Sequence, residues 1–509
     1  MNQDASVPSA TSGQKKIFWA CFVALTATSF AFIIRIMIMD SVAAEFGLSD
    51  TQRGEIFGVG IWPFAISIAL FSLVIDRIGY GKAILFAFIG HSAFAILTIF
   101  ATGYWSLYIG SFLSGLASGA VEAAINPIVA TVFKQQKTKW LNILHAGWPA
   151  GMVVAGLISI VLGDSVGWQS RVALIFLPVL AYGVMMATCK FPVSERVAAG
   201  VSHKDMMKEA GVLGALVALV LIFLEVGRVF AFPTWLVWSS VAALALAFGA
   251  YVRSPGRPMF IILILVMIPL AITELGTDSW ITALMEPEMS QLGLNPLWVL
   301  VYTTFIMMVL RFNAGPIVHR LSPLGLLAVS STLAIVGLVF LSQAAGIGIL
   351  VAATIYGTGK TFFWPTMLGV VSEQYPKGGA LTLNLISGIG MLAAGVVGGA
   401  LLGNIQDREV NLELTSNYPV LQQQIVGAEK SSIFGKYLPL DTRKVEAASP
   451  EDQATVATIQ AGAKKSALAT VAIFPGIMLG SYLLLMLYFR SKGGYQPVVL
   501  AESDPQTSS

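Results

Sequence analysis

Residues 105–133 read WSLYIGSFLSGLASGAVEAAINPIVATVF, an apolar run with one charge, Glu122, and a proline, Pro127, five positions later. A helix of that length exceeds the roughly 20 residues a bilayer requires. A carboxyl group inside such a span costs about 2.5 to 3.5 kcal/mol on insertion scales, so it faces a cavity or a partner. The pattern occurs a second time: Lys360-Thr-Phe-Phe-Trp364-Pro365 again sets a charge five residues before a proline, within the apolar stretch 347–372. Two loops agree with this register, because Ile75-Asp76-Arg77-Ile78-Gly79 and Val318-His319-Arg320-Leu321-Ser322 bring Arg77 and Arg320 to matching places ahead of the two charges. The chain reads as two copies of one multi-helix unit.

Composition agrees. Hydrophobic residues make up 56% and charged residues 11%, against roughly a quarter charged in soluble domains, so lipid is the solvent. Apolar stretches at 17–39, 55–75, 82–102, 105–133, 142–163 and 170–192 form one six-helix half (1–192). Two more, 211–230 and 233–252, form an inserted hairpin within 193–257. Six others, 258–284, 295–318, 323–342, 347–372, 379–404 and 466–489, form the second half (258–509). The expectation is an all-α membrane protein with fourteen transmembrane helices and a long external loop over 404–465, a helical cap or a flexible loop. The first stretch, Ile17–Met39, is too long for a signal-peptide core and is expected to be retained. Lys and Arg crowd the loops on the side of the N-terminus, with Arg53, Arg171 and Arg228 alone in short loops opposite. By the positive-inside rule both termini are cytoplasmic in an inner membrane.

The in-span polar residues are the candidates for function. Glu122 and Asn126 share a helix face. A carboxyl there can carry a coupling proton, form a permanent ion pair with Arg35 or Lys360, or make a packing hydrogen bond. Lys360, with Tyr356 and Trp364 one turn to either side, suits a sugar ring or a carboxylate, or only neutralises Glu122. Asn142, His145 and Asn384 suit sugar hydroxyls or join helices. Glu274, Asp278 and Trp280, near the outer end of 258–284, suit an outer gate, a substrate site or hydrated residues at a helix end, and Arg35 on the first span suits a gate or an ion pair with Glu274, Asp278 or Glu122.

Asp76, Arg77 and Gly79, with Arg320 in the repeat, resemble the cytoplasmic loop motif of the major facilitator superfamily. Glu122-Ala-Ala-Ile-Asn126-Pro127 is similar to the fourth-helix signature of its fucose/proton symporter-like sugar porters. That resemblance implies two six-helix bundles working by alternating access, with Glu122 as the proton-coupling group of sugar symport. The chain departs from those porters in its extra hairpin and in carrying Arg35 where they have an acidic residue. Arg35 and Lys360 keep a sugar acid or other organic anion as the alternative cargo, with drug/proton antiport behind it and a non-transporting sensor as a different class.

The remaining classes are excluded. A net charge of +3 without a basic run gives nucleic acid no footing. Neither HExxH nor GxSxG occurs, and four histidines and the lone Cys21 and Cys189 offer no metal or cofactor site, so no enzyme is expected. Gly357-Thr358-Gly359-Lys360-Thr361 imitates a phosphate loop without its spacing or its strand. The partners expected are a small solute, protons and lipid, with the chain a monomer.

Overall fold

The computed structural model describes residues 10–162, 166–277, 297–432 and 435–501, with Met289 and Gly293 between. Helices follow one another along the chain: α1 Ser12–Phe46, α2 Asp50–Gly58, α3 Trp62–Ile78, α4 Tyr80–Ile99, α5 Tyr104–Val132, α6 Lys137–Leu144, α7 Gly147–Leu162, α8 Trp168–Ala173, α9 Phe176–Ala187 and α10 Glu195–Ala198. Then come α11 His203–Val229, α12 Thr234–Val252, α13 Pro258–Leu275, α14 Leu297–Phe312, α15 Ala314–Leu321, α16 Pro323–Gln343, α17 Ile347–Lys360, α18 Phe363–Gln374 and α19 Gly379–Leu392. The last are α20 Gly399–Asn417, α21 Pro419–Ile425, α22 Thr442–Glu446, α23 Pro450–Val471 and α24 Ile473–Ser491.

All fourteen expected stretches are helical over most of their described length. Twelve described helical stretches are long and apolar enough to cross a membrane alone, and α14 with α15, bent by 66°, makes a thirteenth if counted as one. The stretch 347–372 differs from expectation: it is two helices, α17 and α18, with a break at Thr361 and Phe362. The break follows from Pro365, which cannot donate to the carbonyl four residues back.

The repeat is visible in the backbone. Gly79 ends α3 and opens α4 with φ 84° and ψ 150°, and Ser322 ends α15 and opens α16 with φ 59° and ψ 161°. Positive φ is easy for glycine and uncommon for serine. Ser322 recovers part of the cost by capping α16, its hydroxyl accepting from Gly325 N at 3.3 Å. Within the first half, α5 lies backbone to backbone on α3: a Cβ at Gly119 would come 2.3 Å from the Phe64 carbonyl oxygen. Small residues permit such contact where lipid supplies no hydrophobic drive.

The inserted pair α11 and α12 is closed at its base by backbone bonds. Val212 N–H donates to Ser254 O at 2.9 Å and Arg257 N–H to Glu209 O at 3.0 Å. This approach needs Gly211 at φ +60°, where a Cβ would lie 2.0 Å from Gly256 N. Glu225 and Arg228 pair locally on α11 at 2.6 Å.

The segment 404–465 is a helical cap. Helix α20 runs past the expected boundary at 404 to Asn417, and α23 begins at Pro450, ahead of the expected 466. Val410, Leu414, Leu421, Ile425, Val456 and Ala463 form a small core of their own. A two-stranded hairpin, β1 Lys430–Ser432 with β2 Gly435–Tyr437, lies between the two helices in sequence.

Candidate functional site

Three of the prolines within the spans each delete an N–H that would bond the carbonyl four residues earlier, freeing the oxygens of Ala123 (Pro127), His145 (Pro149) and Thr361 (Pro365). In lipid such a group must find another donor. Asn384 on α19 donates Nδ2 to Ala123 O at 3.0 Å. Arg311 on α14 serves the other two, Nη1 to His145 O at 2.9 Å and Nε to Thr361 O at 2.7 Å. Two of these three bonds run from the second half of the chain to the first.

Arg311 donates its third bond, Nη2 to Glu274 Oε1, at 2.7 Å. The other carboxylate oxygen of Glu274 accepts from Trp364 N–H at 2.8 Å, a donor released by the break between α17 and α18. The ion pair therefore caps the broken helix from both sides. Arg311 is 2% exposed and Glu274 4%, and a buried pair of this kind holds only because its remaining donors and acceptors are also satisfied.

The same chain of bonds reaches Glu122. Beyond the His145 carbonyl, the His145 ring donates from Nε2 to Asn126 Oδ1 at 3.0 Å, and Asn126 Nδ2 donates to Glu122 Oε2 at 2.6 Å. Glu122 makes no ion pair with any described residue. The alternative of an ion pair between Glu122 and Arg35 or Lys360 is thus not found, and a single amide meets the carboxyl group instead. Lys360 instead directs its ammonium at the Glu274 backbone carbonyl, at 3.4 Å, and over the Tyr356 ring at 5.6 Å. Tyr356 bonds Thr277 Oγ1 at 2.6 Å and also donates to Thr273 O. Asn142 donates to Thr138 O at 2.9 Å and Thr366 Oγ1 at 3.2 Å. Trp364 packs on Gly390, where a Cβ would come within 2.8 Å of its ring. All of these side chains are buried.

Arg35 stands apart, between Phe32 and Phe57 on α1 and α2, and pairs with neither Glu122 nor Glu274. Asp278 and Trp280 lie outside the described residues.

Beside the C-terminal tail the halves are tied again. Thr138 donates N–H and Oγ1 to Glu373 Oε1 at 3.1 and 2.6 Å, and Lys137 donates to Ser372 O at 3.0 Å and Glu195 at 2.6 Å. The C-terminal tail locks onto this point, Tyr495 OH donating to Glu373 Oε2 and Val498 N–H to Glu373 O, both at 2.8 Å. Burial, then the Glu373 charge, hold the Tyr495 hydroxyl well above its ordinary pKa. In the loop motif Asp76 binds Arg196 at 2.7 and 2.9 Å, whereas Arg77 and Arg320 are exposed.

Sequence reading passed over Arg311, Arg196 and Glu373. Arg311 had a signal: it is a cation inside a span, in a chain whose in-span prolines free carbonyls that call for a donor.

Comparison with known proteins gives the same outline. The family model described as Major Facilitator Superfamily matches residues 19–403. A probable 4-methylmuconolactone transporter of Cupriavidus pinatubonensis is 27% identical over 161 residues, 31% of this chain and 38% of that one. A gentisate transporter of Corynebacterium glutamicum is 23% identical over 159 residues, 30% of this chain and 36% of that one. The chain therefore matches little more than a third of these relatives' own length. The proton:xylose symporter structure superposes over 94% of this chain and 96% of its own, with a TM-score of 0.60 at 14% identity, a likeness of fold.

Proposed function

Because the chain belongs to the Major Facilitator Superfamily and is a multi-pass membrane transporter rather than an enzyme, we propose that it carries a small polar organic solute across the inner membrane by proton-coupled symport, with both termini cytoplasmic. The halves rock about the buried chain of bonds, and Glu122 takes and releases the proton. One observation carries this reading. Of the two carboxyl groups in this chain of bonds, Glu274 is paired with Arg311, and Glu122 forms no ion pair with a described residue. An ionised carboxylate buried without a cation is expensive, so protonation of Glu122 and closure around it favour each other.

The domains at work are the halves 1–192 and 258–509, with Lys360, Tyr356, Trp364, Asn126, Asn142, His145 and Asn384 around the solute. The Glu122-to-Pro127 signature supports a sugar. A second reading, a small organic acid, is supported by the relatives named for 4-methylmuconolactone and gentisate and by the buried guanidinium of Arg35.

Uptake of labelled sugars and organic acids into proteoliposomes, with and without an inward proton gradient, tests the proposal. Gradient-driven accumulation that falls to simple equilibration in Glu122→Gln supports it. Accumulation that persists in the variant contradicts it.

A further inference from the structure

Arg35 on α1 is 4% exposed, yet none of its N–H groups donates to a described residue and no described carboxylate pairs with it. The buried cations Arg311, Arg196 and Lys137 each bind a carboxylate. The chain nonetheless makes room for this one. A Cβ at Gly60 would fall 1.5 Å from Arg35 Nη1, so the break between α2 and α3 is open because residue 60 has no side chain.

Aromatic rings flank the guanidinium, and two hydroxyl residues share a small cavity with it. The guanidinium carbon lies 5.6 Å from the Phe32 ring centre and 5.8 Å from that of Phe57. Phe32 in turn meets Phe57 at 6.0 Å and Trp148 on α7 at 5.8 Å, and all three rings are half-buried. Arg35 also lines a cavity of about 10 Å³ with Thr98 and Ser111, whose other walls are apolar. Thr98 Oγ1 is a second buried polar atom with no partner. Contact with aromatic faces recovers about 0.5 to 2 kcal/mol for a cation, but it accepts none of the in-plane N–H bonds. The planar fork of five donors matches a carboxylate in two parallel bonds. The cavity has room for a carboxylate oxygen and not for a ring; outside it, the half-buried Phe32 and Phe57 beside the guanidinium, with Trp148 against Phe32, offer a ligand's body aromatic faces.

We infer that Arg35, Phe32, Phe57 and Trp148 form a subsite for the carboxylate and ring of a small planar organic acid, which makes an anion the cargo. The inference rests on the transporter reading above and chooses between its two solutes, since a neutral sugar offers Arg35 no charge.

The test is isothermal titration calorimetry on the full chain in detergent, with benzoate and salicylate as probes and benzamide and salicylamide as neutral isosteres. Wild type should bind at least one carboxylate at least tenfold more tightly than its amide, and Arg35→Gln should lose that preference. Gly60→Ala keeps the charge but displaces the guanidinium, and it should weaken carboxylate binding at least tenfold. Folding is monitored by Tm, which in the unliganded Arg35→Gln should be equal to or above wild type, because no acceptor is stranded. No carboxylate binding by wild type, or unchanged binding by Arg35→Gln, would overturn the inference. Binding in detergent needs no gradient, so proton coupling through Glu122 is judged separately by uptake.

Discussion

Glu274 and Glu122 belong to one chain of buried hydrogen bonds and are held in opposite ways. Glu274 has Arg311 on one oxygen and the Trp364 amide on the other. Glu122 has one bond, from Asn126. The first arrangement satisfies every group around it and has the marks of a joint. The second leaves a carboxyl group with no ion-pair partner among the described residues, and that is what a proton carrier requires. A charge inside a membrane is thus no sign of function until its partners are known.

The largest effect that would break this contrast is at the joint. Arg311→Met strands the Glu274 carboxylate and the carbonyls of His145 and Thr361, and should cost about 3 to 5 kcal/mol of stability. Arg311→Lys should recover little of it, because an ammonium cannot reproduce the three-way fork. Thermal unfolding in detergent reads both.

Glu122→Gln sharpens the contrast from the other side. It strands no cation, so stability should change by less than about 1 kcal/mol, while gradient-driven accumulation is lost. A loss of stability comparable to that of Arg311→Met would make Glu122 a second joint.

A smaller effect is expected at Asn384→Leu, which removes the donor to Ala123 O across the halves and should cost about 1 to 3 kcal/mol. The unfolding midpoint checks it, and an unchanged midpoint would mean that the carbonyl freed by Pro127 needs no partner.

The smallest lies at the tie beside the C-terminal tail. Tyr495 has a raised pKa in the folded chain against about 10 when unfolded. Its contribution is therefore fully present below pH 10 and is lost as the pH rises beyond it. Tyr495→Phe should flatten that alkaline loss, followed as the pH dependence of Tm between 8 and 11.

Much of this was legible in the residues. Apolar run lengths located the helices, and the spacing from charge to proline in residues 105–133 and 347–372 located the repeat, later seen in the shared backbone turn at Gly79 and Ser322. Partners were not legible. Arg35, a cation in a span, suits a gate or an ion pair with Glu122, Glu274 or Asp278, but pairing depends on helix depth and rotation, which sequence spacing along one helix does not carry. The joint at Arg311 depends on carbonyls that belong to other helices. The cap over 404–465 was undecided because its small core, from Val410 to Ala463, is assembled from helices more than thirty residues apart.

The most direct measurement is proton binding on addition of a transported solute to the purified chain in weakly buffered detergent solution, comparing wild type with Glu122→Gln. The account expects wild type to take up a proton with the solute and the variant to bind solute without one. Equal proton uptake by the two proteins would contradict it.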